Sequence, residues 1–142
     1  FWIPKTKPET GKAYRYSCRQ AWGMMMNPSE AGGYVTATRT GSHTWAPGAR
    51  LMIVEFDGPD LRKLGRDVTP EADVSVANDA PARIDSVVVQ KNPIDGSWRL
   101  SFEVRPREKD LAPEKVGTIE LRACLKLGER YLSETWTYRT EI

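Results

Sequence analysis

Trp98, Leu100, Phe102 and Val104 alternate residue by residue with Arg99, Ser101, Glu103 and Arg105. A side-chain period of two is what a strand buried on one face requires, and a helix cannot bury that row. The same period returns along the chain. Over 12–22, Tyr14, Tyr16, Cys18 and Trp22 fall on one face and Arg15, Ser17 and Arg19 on the other. Over 118–127 the apolar row is Ile119, Leu121, Ala123, Leu125 and Leu127, and 130–139 returns as its hairpin partner after Gly128-Glu129. Segments 34–40, 71–77 and 83–90 read as further strands, and Asn92-Pro93-Ile94-Asp95-Gly96 predicts a tight turn because Asp-Gly supplies positive φ angles. Apolar spacing supports no helix beyond a turn or two: 60–64 closes one turn, and Pro113 interrupts 108–115.

Segment 50–56 differs, because Leu51 and Ile53 oppose Met52, Val54 and Phe56 and both faces are apolar. A strand of this kind is central, or its second face is covered by another domain. A chain of 142 residues is one domain by size. About eight strands at fairly regular spacing, punctuated by turn residues, predict an all-β chain folded as a β-sandwich. Residues 1–11, with Pro4, Pro8 and Gly11, read as an N-terminal linker or arm, and 12–142 as the sandwich domain. The aromatic start at Phe1 and Trp2 suggests a piece of something larger. A net charge of +2 offers no field for nucleic acid. No run approaches the roughly 18 apolar residues of a membrane span, so direct membrane insertion is not expected either.

Candidate sites are few. Cys18 lies on an apolar row and Cys124 on a polar one with Glu120, Arg122 and Lys126, so two free thiols are expected rather than a disulfide. His43 is the one histidine, no zinc-type spacing exists, and neither a metal nor a cofactor is expected. Asp57 and Asp60 bracket Gly58-Pro59 as in an ordinary turn. Glu134 shares a row with Leu132, Trp136 and Tyr138, so a buried ion pair with Arg122 or Arg39 is expected. Trp45, in a Gly/Pro loop, suits a stacking platform for a sugar or an anchor for a partner, and equally a side chain folded over a sheet edge. Met25, within Met24-Met25-Met26, reads as either an adaptable contact surface or a local plug.

The ordered set of motifs carries a resemblance. Phe1-Trp2-x-Pro4 is followed by Gly11 with Tyr14-x-Tyr16 leading to Trp22-Gly23, and then by Ala37-Thr38-Arg39-Thr40-Gly41. Phe56-x-Gly58-x-Asp60-Leu61 comes next, and Leu121-Arg122-Ala123 leads to Ser133-Glu134-Thr135-Trp136-x-Tyr138. Together they resemble the C-terminal domain of the periplasmic glucan biosynthesis proteins, the G and D paralogues of Gram-negative bacteria. The resemblance implies an immunoglobulin-like sandwich of the E-set type, a periplasmic location, and a role in making osmoregulated β-1,2-linked glucans. It implies that Phe1 and Trp2 form the interdomain hinge. It also places the acidic catalytic residues of the family's β-1,2-glucan hydrolases in an N-terminal domain with no counterpart here, so no catalytic residue is expected in this chain.

Three roles follow as expectations. The first is a non-catalytic accessory domain that packs on its own N-terminal glucan-binding domain and shapes the cleft, meeting β-glucan only indirectly. The second is a docking module for the pathway's membrane glucosyltransferase, with Met25 and Trp45 as the contact surface. The third is an independent carbohydrate-binding module using Trp45, Arg39 and His43.

Overall fold

The computed structural model describes residues 7–17, 32–42, 48–65, 67–77, 80–107 and 117–141. In chain order the elements are β1 (Tyr34–Ser42), β2 (Arg50–Asp57), α1 (Pro59–Arg62), β3 (Glu71–Val76), β4 (Ala82–Lys91), β5 (Trp98–Pro106), β6 (Thr118–Leu127), β7 (Arg130–Tyr131) and β8 (Trp136–Glu141). One antiparallel sheet runs β1-β2-β5-β4. The other has β6 at its centre, with β3 on one side and both β7 and β8 on the other. The β4–β5 hairpin turns where Asp95-Gly96 predicts it, with φ of 78° at Gly96.

The two inner faces share one core, which makes the pair of sheets a β-sandwich. Met52, Val54 and Phe56 of β2 and Leu100, Phe102 and Val104 of β5 are wholly buried against Ile119, Leu121 and Leu125 of β6. Truncating one such side chain to alanine costs about 2–5 kcal/mol. The buried indoles keep their polar atoms satisfied: Trp98 Nε1 donates to the Leu61 carbonyl (3.2 Å) and Trp136 Nε1 to Thr38 Oγ1 (2.9 Å). Trp136 also meets Phe102 edge-on, at 6.1 Å between ring centroids.

One corner joins the sheets through backbone. The strand after Gly128-Glu129 breaks between β7 and β8, and the segment 132–134 turns toward the start of β1. There Gly33 N donates to the Leu132 carbonyl and Glu134 N to the Gly33 carbonyl (2.8 Å). Ser133 Oγ takes the place of a ladder carbonyl by accepting from Leu125 N (2.9 Å). Contact this close needs residues without side chains. A Cβ on Gly33 would lie 2.5 Å from Leu61 Cδ1 and 2.9 Å from the Leu132 carbonyl oxygen. A Cβ on Gly58, whose φ is 142°, would overlap the Gly32 carbonyl oxygen. Asp57 secures the turn at Gly58-Pro59: its carboxylate accepts from Gly58 N (2.7 Å) and, through both oxygens, from Arg62 (2.7 Å each). The Arg62 hydrogen bonds hold its carboxyl below the usual range, with a smaller contribution from the Gly58 amide.

Several expectations change. Residues 12–17 form no strand; Tyr14 and Tyr16 are exposed and stack on each other, at 6.5 Å between centroids. Alternation alone does not make a strand, and 18–22 lie outside the described residues. The strand 130–139 is two strands, so the described residues hold eight strands, as many as expected, with one member different. Leu127 lies at the open end of its row and is exposed. Cys124 is a free, buried thiol whose burial pushes its pKa up, while Cys18 lies outside the described residues.

Gly33→Ala and Gly58→Ala are each expected to destabilise the fold by about 1–3 kcal/mol. Thermal unfolding would report this as a midpoint lowered by about 4 °C per kcal/mol. A pH dependence follows from Asp57. Because its folded pKa is depressed, its contribution is full above the ordinary aspartate value of about 3.9 and is lost as pH falls through the lower folded value. Asp57→Asn is therefore expected to lower the urea midpoint at neutral pH and to differ less from the parent at about pH 3.

Candidate functional site

The outer face of the first sheet is where β2 departs from simple alternation. Register places Arg39, Ile53, Ser101 and Val88 in one row across β1, β2, β5 and β4. The next row is Gly41, Leu51, Glu103 and Asp85. Leu51 and Ile53 are half-buried there, and Val88 is 43% exposed. β2 is thus central, as expected, yet its second face is covered by no other element among the described residues.

Charge brackets this apolar centre. On one side Glu55 Oε1 receives both Arg99 Nη2 (2.8 Å) and Arg39 Nη1 (3.0 Å). The Arg99 hydrogen bond is the main cause that holds the Glu55 carboxyl below its ordinary value, with Arg39 adding to it against partial desolvation. On the other side Arg105 pairs with Glu103 and with Asp85, and Asp85 with Arg83 (3.2 Å). The arginines are a third to more than half exposed, so each pair is worth at most about 1 kcal/mol. Paired charges leave this face without a strong net field.

Of the expected site residues, the structure describes Arg39, Arg122 and Glu134, and no ion pair joins them. Arg39 is committed to Glu55. Glu134 is exposed rather than buried, because the break between β7 and β8 takes it out of the apolar row. Its Oε1 accepts from Val35 N (2.8 Å), and it pairs with neither Arg122 nor Arg39. Arg122 projects from the outer face of the second sheet, opposite Thr137, into a shallow groove shared with Glu120 and Arg139. Phe1, Trp2, Met25, His43 and Trp45 lie outside the described residues. Asp57 and Asp60 are each engaged by arginine, Asp60 by Arg130 (2.7 Å), as their turn setting suggests. The described residues contain no group of three or more His, Cys, Asp or Glu able to hold a metal. Glu55 was missed because only strand order brings Arg39 and Arg99 to it.

A family model described as "Periplasmic glucan biosynthesis protein, MdoG" matches residues 1–140. The chain is similar to glucans biosynthesis protein G of Ralstonia nicotianae, with 33% identity over 97% of this chain and 27% of the relative. It is also similar to protein G of Bradyrhizobium diazoefficiens (32%, covering 97% and 25%) and to protein D of Pseudomonas syringae pv. tomato (29%, covering 98% and 26%). It spans about a quarter of the length of these curated relatives. Because the match runs along nearly all of its own length, the chain belongs to the periplasmic glucan biosynthesis protein family.

Proposed function

We propose that this chain is a non-catalytic accessory domain, an immunoglobulin-like E-set sandwich, of a periplasmic protein that makes osmoregulated β-1,2-glucans. In this reading it packs on the remainder of the full-length protein, which carries the glucan cleft and the chemistry, and helps shape that cleft. The observation that carries the reading is the placement of Leu51 and Ile53 on the outer face of a central strand, between two sets of paired charges. A solvated face of an antiparallel sheet normally alternates to polar residues; β5 follows this with Arg99, Ser101 and Glu103, and β2 does not. Ile53 is already half-buried, so covering the rest of it recovers about 1 kcal/mol, and Leu51 beside it a similar amount.

Mixing this chain with the separately produced remainder of the full-length protein tests the proposal. Association by calorimetry is expected, and Ile53→Lys is expected to weaken it by about ten-fold or more while the chain keeps its thermal unfolding transition. Absence of association, or association indifferent to Ile53→Lys and Leu51→Lys, would sink it. Capture of the pathway's membrane glucosyltransferase by the same face, with no affinity for the remainder, would favour the docking role instead.

A further inference from the structure

The corner that joins the sheets also encloses an open groove of about 420 Å³, bounded by Gly33, Tyr34, Asp60, Tyr131, Ser133 and Glu134. That volume lies within the range of about 300–1,000 Å³ typical of small-ligand sites. Its walls are held from both sides by backbone, through the Gly33–Leu132 and Glu134–Gly33 hydrogen bonds, so a ligand would meet a shape already formed.

Its chemistry is specific. Each carboxylate has one oxygen committed and another with acceptor capacity to spare. Asp60 Oδ2 is held by Arg130 (2.7 Å), while Oδ1 has only Lys63 at 3.9 Å. Glu134 Oε1 is held by Val35 N (2.8 Å), and among the described residues no hydrogen bond engages Oε2. Oriented acceptors of this kind suit hydroxyl donors. Arg130 and Lys63 beside Asp60 balance the two carboxylates, so the groove has no net charge to draw an ionic ligand, and a lining this polar returns little for a purely apolar one. The tyrosines supply the remaining component: Tyr34 is half-buried in the wall, and Tyr131 is 64% exposed on a strand of only two residues. An aromatic body with a polar tip, kept at the surface, offers a ring face and a hydroxyl to a ligand that has both apolar C–H faces and hydroxyl groups.

We propose that this groove is a saccharide-binding site, with Tyr131 as the stacking surface and Asp60 and Glu134 as acceptors for ring hydroxyls. That the saccharide is a glucan rests on the function proposed above; that it is a neutral saccharide rests on the groove alone.

An NMR titration of the 142-residue chain tests both parts. The probes are a linear β-1,2-linked gluco-oligosaccharide and a chito-oligosaccharide, with glycerol as the control. Saturable shifts are expected at the Gly32, Gly33, Ser133 and Glu134 amides with the gluco-oligosaccharide, and none with glycerol. Tyr131→Ala is expected to weaken binding about ten-fold with the spectral dispersion retained, and Asp60→Asn to weaken it as well. Saturation by the chito-oligosaccharide alone would keep the groove as a saccharide site and remove the glucan reading. Flat spectra with both saccharides at millimolar concentration would overturn the proposal. So would shifts located elsewhere, or an affinity unchanged by both substitutions.

Discussion

At the corner where Gly33 passes between Leu61 and the Leu132 carbonyl, there is no room for a methyl group, and much of the sandwich is arranged around that contact. The close approach lets the start of β1 hydrogen-bond to the break between β7 and β8, which ties the first sheet to the second through main chain as well as through the core. Leu61, pressed against Gly33, is fully buried, and its carbonyl satisfies the Trp98 indole in the middle of the core. Gly58, in a conformation that side chains rarely adopt, brings α1 into place, and the Asp57–Arg62 pair closes that turn. A few glycines therefore set how the sheets meet, and the apolar rows fill the space between them.

The same corner shows how carboxylates that hold the fold can also line a groove. Asp60 and Glu134 each spend one oxygen on holding the fold, and both residues line the groove. The opposite arrangement holds on the outer face of the first sheet. There Glu55, Arg39 and Arg99 satisfy one another, and what remains for a partner is the apolar strip of Leu51 and Ile53. Two surfaces of one small domain thus differ in kind: one offers oriented acceptors, the other offers area.

How far the chain could be read in advance varied with how local the governing interaction is. The row from Trp98 to Val104 and the row from Ile119 to Leu125 are buried as their alternation requires, since period and apolarity are carried by the residues themselves. The turn at Asp95-Gly96 is equally local. Alternation over 12–17 gave no strand; Tyr14 and Tyr16 stack on each other at the surface, because a period of two sets faces but not pairing. Glu134 was misplaced for a related reason. A period of two assumes an unbroken strand, and the break that exposes Glu134 depends on Gly33 reaching it from a hundred residues away in the chain. The ion pairs of Glu55 depend on the order β1-β2-β5, which no single segment encodes.

The amino-acid sequence by itself determined the all-β class, the faces of the regular strands, the β4–β5 turn and the family, because these rest on local pattern or on residues in a fixed order. Tertiary structure alone decided which charges pair, that Glu134 faces solvent, that no described element covers the apolar outer strip of β2, and that a groove with tyrosine and carboxylate walls opens where the sheets join. Those features arise from contacts between residues distant in sequence, whose register is set only when the two sheets close on a common core.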